Sequence, residues 1–353
     1  MSLFSCIRLW SAGIVAVALA GCANTPDWPA DGALDRAARL QSQPDPQVTV
    51  HRKTTQAWDS YALPDEQVPA LMQELLLSAQ LADAVYHREF LNDSAGRISR
   101  ACRYVSGRVE WPAPLPLPHG WTRVTAAHLK AWDVSLGSEL LCLSGEGLDY
   151  ELFARIDKAG RPVELVLAFR GTENDKDQWK ADWASNFSQL AFGRNDDPSF
   201  RGARAVATAV VDAFRRTLPA VAPTAVCSRS QPSASQLPIS FVGHSLGGGL
   251  AQHAAYVVSP CDATRAVTFN TSPVTGWLYL SRGTLLIKNP DPIIVRAYND
   301  REVLAYLRSL TIRFNFSREN RVDYQLAFEA FNSDRHSMAA LAYWIERSAR
   351  AER

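Results

Sequence analysis

Residues 239–249 read Ile-Ser-Phe-Val-Gly-His-Ser-Leu-Gly-Gly-Gly. A short β run (239–243) leads directly into a helical pattern from about Leu246 to Val258, with G-x-S-x-G at the joint. That context gives the motif its meaning: a serine on a sharp strand-to-helix turn presents its hydroxyl at the end of a sheet. Gly243 and Gly247 let strand and helix backbones approach. The turn also aims the amide of Leu246 at a reacting carbonyl oxygen, at a helix N-terminus that favours negative charge. Ser245 is therefore the candidate nucleophile. A phosphate-binding loop is the other glycine-rich option, but the Lys-Ser/Thr ending of such a loop is missing.

Outward from this joint, strand-like and helix-like segments alternate. Residues 150–156 and 163–169 are strand-like and flank Lys158-Ala-Gly160, a hairpin turn. Helical patterns cover roughly 66–90, 176–190, 201–218 and 337–349. Residues 265–270, 293–298 and 311–316 read as further strands. Strands separated by helices predict an α/β fold: a mostly parallel central sheet with helices on both faces. Residues 228–236 read as a polar exposed loop, and 111–118 (Trp-Pro-Ala-Pro-Leu-Pro-Leu-Pro) as a proline-rich surface loop.

Val163-Glu-Leu-Val-Leu-Ala-Phe-Arg-Gly171-Thr172 is a hydrophobic strand ending in a tight turn. Thr172 is placed to supply a second oxyanion donor from its amide, with its hydroxyl adding another hydrogen bond. A base must follow the serine helix and at least two strands, and His336, just before the closing helix, is the histidine that qualifies. His244 adjoins the serine on a tight turn where neighbouring side chains diverge. His253 lies about two helical turns further on and reads as a packing residue. Asp300 follows the strand 293–298 and is the candidate acid. Asp291 precedes that strand, at the wrong end of the sheet, and Asp323 and Asp334 come later.

Phe169-Arg-Gly-Thr172, Gly243-His-Ser-Leu-Gly-Gly248 and the order of elements resemble the class 3, fungal-lipase-like group of α/β-hydrolases over roughly residues 70–345. The resemblance implies a serine carboxylic-ester hydrolase, a lipase working through an acyl-enzyme. It implies Ser245, Asp300 and His336 as catalytic residues and Thr172 with Leu246 as oxyanion hole. It also implies a lid or acyl-site segment over 175–200, where Trp179, Trp183, Phe187, Leu190 and Phe192 would line a helix face or pack on the sheet. The family's Phe-Gly-x-Pro-Arg-x-Gly run is here Phe269-Asn-Thr-Ser-Pro273-Val-Thr-Gly276, so the first glycine and the arginine are absent. The apolar stretch 277–288 would line an acyl site or pack as a hairpin.

The chain has 353 residues and a formal charge of +1. Its first 21 residues carry only Arg8, so removing them gives +1 − 1 = 0. No charge excess points to nucleic acid. The run Leu9–Leu19 is short for a bilayer span and suits a signal-peptide core. Leu19-Ala-Gly-Cys22 resembles a bacterial lipobox, which would lipidate Cys22, while Ala18-Leu19-Ala20 also fits ordinary cleavage. Ala23 after the cysteine favours the outer membrane by resemblance. The expected organisation is a lipoprotein signal peptide (1–21), a flexible tether (22–60) broken by Pro26, Pro29, Pro44 and Pro46, and a hydrolase domain (61–353). The expected partners are a lipid ester and, through the anchor, a membrane.

Four cysteines remain outside the leader and its edge. No C-x-x-C pair occurs, and no metal or cofactor is implied. Cys227 and Cys261 each precede a parallel strand at the same rim, which predicts a Cys227–Cys261 disulfide and leaves Cys102–Cys142. A phospholipase A1, a hydrolase of peptides or thioesters, and a non-catalytic envelope lipoprotein keeping the fold are the alternatives.

Overall fold

The computed structural model describes residues 47–53, 60–86, 88–92, 98–104, 115–143, 148–171, 198–217, 237–258, 263–272, 292–300, 302, 321–328 and 337–350. Within these, the strands are β1 (Val48–Lys53), β2 (Ser60–Ala62), β3 (Arg88–Asn92), β4 (Ile98–Tyr104), β5 (Trp121–Arg123), β6 (Cys142–Leu143), β7 (Asp149–Ile156), β8 (Pro162–Arg170), β9 (Ile239–His244), β10 (Ala263–Phe269), β11 (Ile293–Asn299) and β12 (Arg321–Phe328). The helices are α1 (Val68–Ala84), α2 (Ala126–Ala131), α3 (Pro198–Thr217), α4 (Leu246–Val257) and α5 (Met338–Arg350).

Among the described residues, ten strands form one mixed sheet in the order β2-β1-β12-β11-β10-β9-β8-β7-β5, with β6 on β7. The five strands from β8 to β12 are parallel neighbours. Both edges are antiparallel: β7 pairs with β8 on one side, and β1 with β12 on the other. Strands buried on both faces read as continuous apolar runs rather than alternations, and all six residues of β9 are buried.

The alternation of side chains along each strand divides the core in two. Leu165, Leu167, Phe169, Phe241, Ala266 and Ile294 join the buried residues of α3 and α4. Val166, Ala168, Val242, Val267, Val295 and Ala297, one residue out of phase, join those of α1 and α5. Helices therefore cover both faces, as the strand–helix alternation predicts. Each fully buried Leu or Phe contributes about 1.5–3 kcal/mol.

The hairpin β7–β8 turns at Asp157, whose Oδ1 accepts the amides of Ala159 (2.9 Å) and Arg161 (2.8 Å). Gly160 takes the positive φ that the turn requires, +76°.

Three expectations are corrected. The tether does not run unstructured to residue 60, because Val48–Lys53 pairs along its whole length with β12. It lies between β2 and β12 and buries only Val50, so its apolar signal is faint. The first helix ends at Ala84 rather than near Phe90, and Arg88–Asn92 pairs with β4 instead. A strand occurs at Arg321–Phe328, where none was expected, while 311–316 lies outside the described residues. So do Cys22 and the leader, the helix at 176–190, and Cys227 with Cys261. Cys142 is disulfide-bonded.

Candidate active site

The site is assembled at the carboxyl ends of the parallel strands. Ser245 joins β9 to α4 with φ 56° and ψ −124°. A non-glycine residue held there stores about 1–3 kcal/mol of strain and persists only when its surroundings over-determine it. They do so here through the backbone. The Ser245 amide donates to the Phe269 carbonyl (3.0 Å), and its own carbonyl accepts from Ser272 (2.9 Å) and Gly248 (3.1 Å). The end of β10 thus grips the turn from one side.

From the other side the fit is steric. A Cβ on Gly247 would collide with the Phe169 carbonyl oxygen and lie 2.6 Å from the Arg170 carbonyl carbon. A Cβ on Gly171 would sit 2.5 Å from the His244 carbonyl oxygen and 2.8 Å from Ser245 Cβ. Gly171 is therefore directly beside the nucleophile turn. The β8–β9 register, Phe169 opposite Gly243, brings the two strand ends together. Thr172, the expected oxyanion donor, follows Gly171 and lies outside the described residues. Leu246 is buried and opens α4, so its amide belongs to the helix's positive end.

Asp300 follows β11 at the same edge of the sheet, with β10 between it and Ser245. Adjacent strands are about 4.8 Å apart, so the two strand ends lie about two spacings from each other. Gln325 Nε2 donates to Asp300 Oδ1 (2.5 Å), and the Asp300 amide donates to the Leu326 carbonyl (2.8 Å). Asn270, itself at φ 40°, closes β10 between them. Its amide donates to Ala297 O (2.9 Å), and its Oδ1 accepts the Asn299 amide (2.8 Å). The three strand ends carrying Ser245, Asn270 and Asp300 are thus stitched to one another. His336 lies outside the described residues, one position before Ser337, whose hydroxyl accepts the Ala340 amide (3.2 Å) at the start of α5.

The other candidates have different surroundings. His253 is buried, with Nδ1 3.3 Å from Arg204 Nη1 and its ring 4.4 Å from that of Phe200. It packs α4 on α3. His244 turns away from Ser245 and bonds through Nδ1 to Tyr86 Oη at 2.8 Å. Asp323 is inside β12, held bidentately by Arg296. Asp291 and Asp334 lie outside the described residues.

Tyr86 was missed by sequence reasoning. It continues the apolar pattern of α1, and only the fold discloses what its hydroxyl meets. Oη accepts the Gly171 amide at 2.8 Å, and the Arg170 guanidinium lies over its ring, 5.4 Å from the centroid.

A family model described as lipase (class 3) matches residues 166–277, from the interior of β8 through Ser245 to beyond β10. No curated protein matches. Among solved structures, the chain is similar to the extracellular lipase LipA from Serratia marcescens, at 14% identity and a TM-score of 0.32. That likeness covers 68% of this chain and 40% of the other, so the chain spans well under half of that protein's length. The family match, which includes the stretch that forms the turn, supports a lipase-type hydrolase.

Proposed function

We propose that the chain is a serine lipase that cleaves acyl esters of lipids through an acyl-enzyme. The observation that carries this reading is the conformation of Ser245: a strained turn at φ 56° between strand and helix, with Gly171 pressed against it. Such strain at the carboxyl end of a strand is the setting a nucleophilic serine requires.

In the proposed reaction Ser245 Oγ attacks the ester carbonyl carbon as its proton passes to His336. The carbonyl oxygen becomes an oxyanion held by the amides of Thr172 and Leu246. Collapse breaks the C–O bond to the alcohol, which leaves with the proton from His336, and water then releases the fatty acid by the same steps. Asp300 orients the imidazole and stabilises its charged form without taking the proton. The location of Ser245 and Asp300 on one sheet edge supports this division of labour. In the same reading Cys22 carries the lipid anchor of an outer-membrane lipoprotein, and Cys142 is bonded to Cys102. The packing of β4, which carries Cys102, against β6 supports the latter pairing.

The test is fatty-acid release by the full chain in detergent from p-nitrophenyl esters, triacylglycerol and phosphatidylglycerol. Ser245→Ala and His336→Ala are each expected to lower turnover roughly 10⁶-fold. A mutant as active as the wild type would remove that residue from the mechanism. Preference for phosphatidylglycerol over triacylglycerol, with the sn-1 acyl chain released, would make the enzyme a phospholipase A1. A folded wild type inactive on all three would favour the binding lipoprotein.

A further inference from the structure

The sequence of events proposed above needs two things in register: the nucleophile on the β9 turn and the oxyanion donor on the β8 turn. These turns come from segments more than 70 residues apart in the chain, and one side chain touches both. Tyr86, at the end of α1, accepts the Gly171 amide through Oη at 2.8 Å. The same oxygen lies 2.8 Å from His244 Nδ1, one residue before Ser245.

The valences fit this double role. A phenol oxygen accepts one N–H and still has its own hydrogen to donate. With the His244 proton on Nε2, that hydrogen goes to Nδ1. Burial pushes the Tyr86 phenol well above its ordinary range, against the opposing pull of Arg170 and the Gly171 amide, so the hydroxyl stays neutral. The ring is fixed from two further sides. His244 meets it edge-on at 5.7 Å between centroids, and the Arg170 guanidinium lies over its face. The approach is close: a Cβ on Gly171 would come within 2.8 Å of the hydroxyl oxygen.

We infer that Tyr86 is a positioning residue that sets the spacing between the Ser245 hydroxyl and the oxyanion donors. It acts through the Gly171 amide on one turn and the His244 ring on the other. The inference rests on the serine-hydrolase reading. It goes beyond that reading by assigning to a residue outside the proposed triad and oxyanion hole an effect felt only when the carbonyl oxygen becomes charged. Ground-state binding of the ester does not depend on that spacing, whereas stabilisation of the tetrahedral species does.

Tyr86→Phe removes both hydrogen bonds and keeps the ring. The experiment compares wild type, Tyr86→Phe and Ser245→Ala in the full chain, measuring kcat and KM on p-nitrophenyl butyrate. Affinity for an aryl boronic acid, which forms a tetrahedral adduct on the serine oxygen, is measured alongside. Expected for Tyr86→Phe is a kcat lower by about 10- to 100-fold, the scale of a misplacement near 1 Å. KM is expected to stay unchanged, boronate affinity to weaken by a similar factor, and circular dichroism to match the wild type. An unchanged kcat overturns the inference. A fall in kcat accompanied by lost secondary structure, or with boronate affinity intact, overturns it too, since either makes the role merely structural. If the wild type neither hydrolyses the ester nor binds the boronate better than Ser245→Ala does, the serine reading itself fails and takes the inference with it.

Discussion

The β8–β10 half of the parallel sheet and its β11–β12 half are held together by different forces. In the first, backbones touch: the α4 backbone at Gly247 leaves no room for a Cβ beside Phe169 and Arg170, and Ser245 is bonded through its amide and carbonyl to the end of β10. In the second, charge is buried. Arg296 and Asp323 face each other across β11 and β12 in register, with Arg321 Nε 3.6 Å from the same carboxylate. Burial opposes charge on Arg296, yet the Asp323 carboxylate outweighs it and holds the guanidinium above its ordinary range. Arg321 is pushed down to about 10, first by the neighbouring Arg296 and then by burial. The half that carries the strained serine is thus fixed by volume, and the half that carries Asp300 by compensation of charge. Volume constrains position to tenths of an ångström, which suits a nucleophile. The buried ion pair joins β11 to β12 beneath Asp300 without touching it.

Within this comparison the largest effect is expected at Asp300, the proposed acid. Asp300→Asn should lower ester turnover about 10⁴-fold, the loss seen when a triad acid can no longer hold its histidine in the right tautomer. Its melting temperature should stay near wild type, because Gln325 can bond the amide oxygen as it bonds the carboxylate. A loss of only a few fold would move the acid's role to another residue. Next in size is Asp323→Ala, which strands Arg296 as a buried unpaired charge. Urea unfolding should register a loss of about 3–5 kcal/mol. Turnover per folded molecule should be retained. The double replacement Arg296→Met with Asp323→Leu should recover most of the stability. A stable single mutant would erase the contrast between the two halves.

The same contrast decides what could be read from the sequence. The strand-to-helix turn at Ser245 was legible because close backbone approach admits only glycine, and glycine is visible in a sequence. The β7–β8 hairpin was legible through Lys158-Ala-Gly160, a local signal of a local turn, while the Asp157 carboxylate that holds it was not read. The strand Arg321–Phe328 was not, since its buried Asp323 has meaning only beside Arg296, 27 residues away. The strand Val48–Lys53 escaped because pairing with β12 and β2, not burial, makes it a strand. Tyr86 continues the apolar pattern that precedes it, and its ring packs partly buried against the same core. Its hydroxyl partners lie 85 and 158 residues away and no spacing rule reaches them.

Two smaller effects probe the volume-fixed half. Gly247→Ala must displace α4 from the end of β8, since the new methyl group meets backbone and not a side chain that can yield. Overpacking of this kind costs about 1–3 kcal/mol. Because Ser245 and Leu246 move with the helix, turnover should fall on the order of 100-fold. If calorimetry showed the stability loss with turnover intact, α4 would be free to shift without carrying the serine, and steric fit would not be what positions it.

The smallest effect is expected at His253, which lies in the same half and on the same helix as Ser245. Its ring fills space against Phe200 and its Nδ1 faces Arg204. A glutamine there keeps a polar atom for Arg204 and loses the ring contact. His253→Gln should therefore cost about 1 kcal/mol, within the range of ordinary core substitutions, and leave turnover and its pH profile unchanged. Two turns of helix separate the ring from Ser245, and its contacts run toward α3, away from the strand ends. A pH profile that flattened in His253→Gln would mean that a titrating imidazole on α4 reaches the reacting atoms. The base would then have to be sought in the volume-fixed half rather than beside α5.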